Sequence, residues 1–331
     1  MTLKNIAFAA ILGLSVGCTP KHEKAVLPSW NETTVKQQLI HYLTKDVNAI
    51  PVADRIAVFD MDGTLVTERP FSIELAISIQ RLLDRGEKEP EVRQWIEYDY
   101  AKKLAENPHD TAVYNHIIVD GENVLQNMIM KSFDGADCEE YISYANKCLN
   151  TAKNKDYQMA YADMFYQPML ELVDLLREKQ FQVYIVSAAM QGVVWSICPQ
   201  IIGADRDHLL GIRHQKEVLF GQNGAISYKL KGKLVEPVNN LKGKAINIYD
   251  HLGKIPVVAV GNTYSDFGMF HMASCSQYPS LSLMLNHDDS EREYAYSPCH
   301  IEGVNWQDSL RANGWLQADM SKEFKVVWMN K

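Results

Sequence analysis

The chain has 331 residues, 47% of them hydrophobic and 22% charged, with a formal net charge of −8. That balance is ordinary for a globular protein, and the length allows a sizeable core in one large or two modest domains. The acidic net charge, with no evident basic patch, argues against a nucleic-acid partner.

At the N-terminus Lys4 precedes an apolar segment over residues 6–16, which runs into Gly17-Cys18-Thr19-Pro20. Eleven residues are too few to span a bilayer as a helix. A short basic region, an apolar stretch and small residues before a cleavage point form an export signal rather than part of the fold. The ending Ser15-Val16-Gly17-Cys18 resembles a bacterial lipoprotein processing site, although Ser15 stands where an aliphatic residue is usual. The resemblance implies lipidation at Cys18 and an exported protein, periplasmic or held on the cell envelope through a lipid anchor in the membrane. Residues 1–18 are then the signal and residues 19–29 a tether.

The five other cysteines, Cys138, Cys148, Cys198, Cys275 and Cys299, show no metal-ligand spacing. In an oxidising compartment Cys275 with Cys299, or Cys138 with Cys148, are candidate bridges; buried free thiols are the alternative.

A first helix starts after Trp30-Asn31-Glu32-Thr33, with Asn31 as candidate N-cap and Val35, Ile40 and Leu43 on its apolar side. The run Ile56-Ala57-Val58-Phe59 reads as a strand buried on both faces, so Asp60 and Asp62 fall at its carboxyl end, where open α/β sheets bind ligands. Gly63 and Thr64 turn the chain. Residues 73–83 form a buried helix broken by Gly86 and Pro90, and helical segments follow near residues 91–104, 109–130 and 137–149. No convincing strand falls between Leu65 and Met164. The domain reading is therefore a core of residues 30–66 and 161–331, with residues 67–160 inserted as a helical subdomain.

Alternation of strands and helices then resumes. A helix begins at Pro168, and the strand Val183-Tyr184-Ile185-Val186 ends in Ser187-Ala188-Ala189, where the next helix is expected. Residues 209–234 carry glycine clusters at 221–224 and 231–233 around Ile226-Ser227-Tyr228-Lys229-Leu230, which suggests a small hairpin, with Gly211 and Gly221 read as turns. Lys242-Gly243-Lys244 opens a helix. The strand Val257-Val258-Ala259-Val260 stops at Gly261-Asn262-Thr263-Tyr264-Ser265-Asp266, and a last strand at residues 281–285 leads to a polar tail. The fold class is α/β, a Rossmann-like parallel sheet with an inserted helical cap.

Parallel strands bring their carboxyl ends together, so Asp60 and Asp62, Ser187, Lys242 or Lys244, and Asn262 with Asp266 converge in one crevice. Carboxylates with a hydroxyl and an ammonium suit phosphate chemistry with Mg²⁺. One carboxylate can attack phosphorus, and a second acid two residues later can protonate the leaving alkoxide and then activate water.

The segments FDMDGTL, VSAA, LKGKAI and VGNTYSDFGMF resemble, in order, the motifs of the haloacid-dehalogenase (HAD) superfamily phosphatases, over residues 59–270. The inserted helices resemble what that superfamily calls a C1 cap, and the KGK pattern resembles phosphoserine phosphatases. The resemblance implies a Mg²⁺-dependent phosphatase acting on a small phosphomonoester. Asp60 is then the nucleophile, Asp62 the acid/base and Lys242 the charge-neutralising catalytic lysine, with Lys244 in reserve. Thr64, Glu68, Ser187, Ala188 and Lys244 face the substrate, and Asp60, Asp62, Asn262 and Asp266 hold the metal. Asn262 departs from the aspartate usual there, which removes one charge from the metal site. The second acid, Asp62, argues against dehalogenase chemistry.

Glu68 follows Asp60 by eight residues and is a candidate reader of a substrate amine, or a solvated charge beside Arg69 at the cap hinge. Trp95, Tyr98, Tyr100, Tyr114, Tyr141, Tyr144, Tyr157, Tyr161, Phe165 and Tyr166 either form an aromatic cage for a quaternary ammonium group or pack helices together. Phosphoserine-like and phosphocholine-like substrates both stay open. The segment at residues 287–296, rich in acids around His287, reads as a solvated loop, with a second metal site as the alternative. His271 reads as helix packing. The competing functions are a non-catalytic, surface-anchored binding lipoprotein with a decayed site, and a phosphotransferase.

Overall fold

The computed structural model describes residues 25–119, 124–299 and 301–329; Cys18 and the export signal lie outside them. In chain order the elements are α1 (Thr34–Thr44), β1 (Ile56–Phe59), α2 (Ile73–Lys88), α3 (Ile96–Glu106), α4 (Thr111–Val119), α5 (Val124–Phe133) and α6 (Cys138–Thr151). There follow α7 (Gln167–Glu178), β2 (Gln182–Met190), α8 (Gln191–Ile201), β3 (Leu209–Ile212), β4 (His214–Phe220), β5 (Ile226–Leu234), α9 (Lys242–Leu252) and β6 (Val258–Gly261). The chain closes with α10 (Phe267–Ser274), β7 (Leu281–Asn286), α11 (Trp306–Asn313), β8 (Leu316–Asp319) and α12 (Met320–Glu323).

Six strands form one parallel sheet in the order β3-β2-β1-β6-β7-β8, so the strand that carries the first two acids is central. Alternation along β1 divides the core. Ala57 and Phe59 pack into a layer with α7 and α8, where Leu172, Val173, Val193 and Ile197 lie. Val58 points to the other face, among Ile248, Phe267, Phe270 and Leu310 of α9, α10 and α11. Burial on both faces is what a short, wholly apolar parallel strand requires.

The helices α2–α6 lie between β1 and β2; α2, α3 and α5 share a core of their own, formed by Leu75, Ile79, Leu82, Tyr100, Leu104 and Met128, while α6 joins the main core through Tyr141, Ile142 and Leu149. The β4–β5 hairpin leaves the sheet and meets this helical layer: Leu230 is buried, its amide donates to Ala136 O at 2.9 Å and its carbonyl accepts from Gly135 N at 3.0 Å.

Several local expectations are corrected. Thr33, not Asn31, caps α1, its side chain accepting from Lys36 N. Residues 27–29 are packed rather than a tether: Leu27 and Ser29 are buried, and Ser29 N donates to Glu171. Gly211 lies inside β3, where a Cβ would stand 2.7 Å from Gln191 Cα, so glycine is needed for close approach and not for a turn. The cluster at residues 231–233 is likewise strand, within β5. Ser187 to Ala189 extend β2, and α8 begins only at Gln191. The polar tail contains two helices, α11 and α12, and the sixth strand of the sheet, β8, paired with β7. All five described cysteines are free. Cys138 and Cys148 sit on one helix, about 15 Å apart along its axis, beyond disulfide reach.

Candidate active site

The loop after β1 is tied down by its own backbone. Asp60 N donates to Val260 O at 2.9 Å, Leu65 N to Met61 O at 2.8 Å and Gly63 N to Val66 O at 2.7 Å. This compact turn, with Gly63 at φ +70°, presents Asp60 and Asp62 at the carboxyl edge of the sheet.

Lys244 decides the electrostatics. It is fully buried, and its Nζ lies 2.7 Å from both Asp60 Oδ1 and Asp266 Oδ1. The expectation that Lys242 neutralises the nucleophile is corrected, because Lys242 is exposed. Two positions on a helix are about 200° apart, so only one lysine can face the sheet. Gly243 sets which: a Cβ there would stand 1.9 Å from Val238 O, so α9 packs its first turn directly on backbone and Lys244 follows inward.

Asp266 has little left for a metal. Its Oδ1 meets Lys244, and its Oδ2 accepts from Asn262 N at 2.9 Å and Thr263 N at 3.0 Å. It braces the turn after β6 and holds the lysine, so the expectation of Asp266 as a direct metal ligand is revised to a supporting one.

Ser187 is fully buried, 3.4 Å from Asp62 Oδ2, and its Oγ accepts from Ala189 N at 2.9 Å. A bulge opens β2 against β3 at this place, between Val186 and Met190, which turns the serine to the site and leaves Ala188 exposed. Asn239, which the sequence reading passed over, is buried and donates to Ser187 O at 2.7 Å and Leu210 O at 3.0 Å, holding the bulge. Thr64 turns away from any substrate, donating through Oγ1 to Asn262 Oδ1 at 3.3 Å. Glu68 is half-buried, and its Oε1 accepts from Asn262 Nδ2 at 3.1 Å.

Glu74, from the first turn of α2, is the other residue missed. It is buried, accepts from Met190 N, and accepts from Tyr141 OH at 3.2 Å, which joins the helical layer to the end of β2. An acid in the first turn of an apolar helix gives no local signal of burial.

The charges are unbalanced. Burial and the neighbouring Asp266 push Asp60 up to about 7 despite Lys244. Burial, then Asp60, Glu68 and Glu74, hold Asp62 well above the usual carboxylate range, against the Ile73 amide. Burial also raises Glu74 to about 7. Burial works against the Lys244 charge, but Asp266 and Asp60 outweigh it and the net shift is upward.

A divalent cation fits this donor set. Lys244 answers only Asp60 and Asp266, while Asp62 feels the charges of Asp60, Glu68 and Glu74, and its Oδ1 is buried with no hydrogen-bond partner. Hard oxygens in deficit of positive charge suit Mg²⁺. Among the described residues no group of three or more His, Cys, Asp or Glu side chains is arranged to hold a metal. The candidate ligands here are mixed: an Asp60 carboxylate oxygen, the Asp62 main-chain carbonyl and the Asn262 amide oxygen.

The segment around His287 is a brace, not a solvated loop or a metal site. His287 Nε2 lies 2.6 Å from Gly63 O, as donor, and Nδ1 lies 3.0 Å from Glu293 Oε2. Thr67 Oγ1 and Tyr166 OH each donate to Glu293 Oε1 at 2.8 Å. His287 holds the buried Glu293 carboxylate below its usual range even though burial pulls the other way. The aromatic residues do not converge on one cage. Tyr141 packs on Phe133, while Tyr166 and Tyr157 pack on Trp328, and the Tyr114 side chain lies outside what is described. His271 packs edge-on against Trp315, as helix packing predicts.

The profile of the haloacid dehalogenase-like hydrolases matches residues 57–271, which take in every station of the catalytic crevice. The chain belongs to that family. No curated protein matches it. Among solved structures, a similar fold is seen in a conserved protein of unknown function from Anaerococcus prevotii DSM 20548, at 15% identity and TM-score 0.51, covering 84% of this chain and 88% of that one. A protein of unknown function from Bordetella pertussis Tohama I is similar at 14% identity and TM-score 0.50, covering 80% and 98%. A phosphoserine phosphohydrolase-like protein from Francisella tularensis subsp. tularensis SCHU S4 stands further off, at 14% identity and TM-score 0.40, with 81% and 97% covered. The likeness to the first two speaks for the fold alone.

Proposed function

We propose that this HAD hydrolase is a phosphatase that cleaves a small phosphomonoester through an aspartyl phosphate on Asp60, with Mg²⁺ as cofactor. The observation that carries the reading is the Asp60–Lys244–Asp266 chain, with both contacts at 2.7 Å, beside a second acid, Asp62, two residues on. A decayed binding protein would have no need to keep a fully buried ammonium on a nucleophile.

Lys244 orients Asp60 and opposes the rise that burial and Asp266 impose on it, so that once ionised its carboxylate can attack phosphorus in line with the ester oxygen. As the P–O bond to the alcohol breaks, its electron pair goes to the departing oxygen. Asp62, whose environment favours the protonated form, delivers its proton there. Water then attacks phosphorus and gives a proton to the Asp62 carboxylate, which releases phosphate and restores Asp60. In this scheme Ser187 Oγ donates to a phosphate oxygen, while the Ala189 and Met190 amides brace the bulge through Ser187 Oγ and Glu74. When bound, Mg²⁺ would supply positive charge to the phosphate and to the transition state.

The test is phosphate release from a panel of small phosphomonoesters with Mg²⁺. Asp60→Asn should lower turnover on the order of 10⁴-fold while the circular-dichroism melt stays cooperative. Undiminished turnover in that variant would end the mechanism. Transfer of phosphate to added alcohol in preference to water would instead mark a phosphotransferase.

A further inference from the structure

Position 262 carries an amide where the metal site lacks an acid, and the side chain lying against that amide is a carboxylate. Asn262 is 1% exposed, and its Nδ2 donates to Glu68 Oε1 at 3.1 Å and to Tyr296 OH at 3.3 Å. Tyr296 OH is itself hydrogen-bonded to Glu68, which closes a triangle. With both amide hydrogens committed on one side, Oδ1 is turned to the other, where Thr64 Oγ1 donates to it at 3.3 Å.

The arrangement is built, not incidental. Asn262 and Glu68 lie over Gly63, where a Cβ would stand 1.9 Å from Asn262 Nδ2 and 2.9 Å from Glu68 Cδ. Tyr296 is held in turn by the Arg69 guanidinium, 4.2 Å from its ring centre, and by His287, stacked at 4.4 Å. The Glu68 charge is close enough to Asp62 to bear on it directly. An aspartate at 262 would remove the donor and set two carboxylates about 3 Å apart with no proton between them, a like-charge contact that destabilises both.

We propose that Glu68 and Asn262 are a matched pair: Glu68 returns to the cation site the negative charge that the amide lacks, and pins the amide so that its oxygen faces Mg²⁺. Glu68 is a positioning residue in this scheme, acting through Asn262. The proposal rests on the Mg²⁺-dependent phosphatase reading and deepens it.

The test is a double-mutant cycle on the full chain, stripped with EDTA and titrated with MgCl₂ by calorimetry, with melting in EDTA as a second, metal-free readout. Glu68→Gln should weaken Mg²⁺ binding by about 10- to 100-fold, the range for a residue that orients a ligand from behind. Adding Asn262→Asp to Glu68→Gln should restore affinity to within about threefold of the unaltered protein, as a charge moved rather than lost. Asn262→Asp alone should lower the melting temperature in EDTA, and should do so less when Glu68→Gln is already present. Unchanged Mg²⁺ affinity in Glu68→Gln, or an equal effect of Asn262→Asp in both backgrounds, would overturn the pairing while leaving the phosphatase reading intact. An unaltered protein that takes up no Mg²⁺ would overturn that reading and this proposal together.

Discussion

Among the described residues Lys244 is the ammonium paired with Asp60 and Asp266, so its loss should be felt in both folding and turnover. Truncating one partner of a fully buried pair leaves the other charge stranded, at a cost of about 3–5 kcal/mol. Lys244→Ala should therefore lower the denaturant midpoint and abolish phosphate release. Lys242→Ala, exposed on the opposite side of α9, should leave both within about twofold. Equal losses in the two variants, read by urea melts and phosphate assays side by side, would contradict this division. Asp60, Asp62, Ser187 and Asn262 were legible because each follows an apolar strand whose end a parallel sheet gathers into one place. The choice of lysine was not, because both sit in one Lys-Gly-Lys run, and it is backbone contact with Val238, in the loop that leads into α9, that sets the phase of the helix. The roles of Glu74 and His287 were hidden for another reason: their partners are 116 and 224 residues away.

At the scale of elements, the first turn of α9 is a packing joint. Gly243 is there for backbone contact with Val238 and not for a turn, so Gly243→Ala should force the helix off its seat. We expect a loss of about 1–3 kcal/mol from overpacking, and a larger loss of turnover as Lys244 is carried away from Asp60. A variant with the stability loss and full turnover would show that the lysine tolerates the shift. The strands that form the middle of the sheet were readable as apolar runs. The edge strands were not: β3 contains Gly211, which imitates a turn, and β8 is Leu316-Gln317-Ala318-Asp319, half polar because its outer side faces no neighbour. The β2 bulge was likewise hidden, since Ser187-Ala188-Ala189 reads equally as the start of a helix.

For the whole molecule, the surplus of buried acid couples folding to pH and to the cation. Asp60 and Glu74 both sit at about 7 in the folded chain, above the ordinary carboxylate range near 4. Folding therefore favours their protonated forms. The stability they contribute is full below about pH 4 and is lost as pH rises through 7. In EDTA the melting temperature should fall by about 5 °C between pH 5.5 and 8. Glu74→Gln, which keeps an acceptor for Met190 N, should flatten part of that slope. Mg²⁺ should recover the loss at pH 8 and do little at pH 5.5, since it favours the ionised carboxylates. A melting temperature that rises across this range without metal would refute the charge imbalance inferred for the site.

The His287–Glu293 brace also has a consequence in time. The loop it supports is made early, and the two ends of the His287–Gly63 contact are 224 residues apart. At roughly 5–20 residues per second, the histidine follows the glycine out of the ribosome by roughly 10–45 s. Until then the Gly63 carbonyl has no imidazole to meet, and Thr67 and Tyr166 have no carboxylate to bind. A nascent or prematurely ended chain can thus build β1 and its two acids without setting the turn that aims them. A chain ended before His287 should therefore lack the imidazole that backs this turn, and with it much of its hydrolase activity.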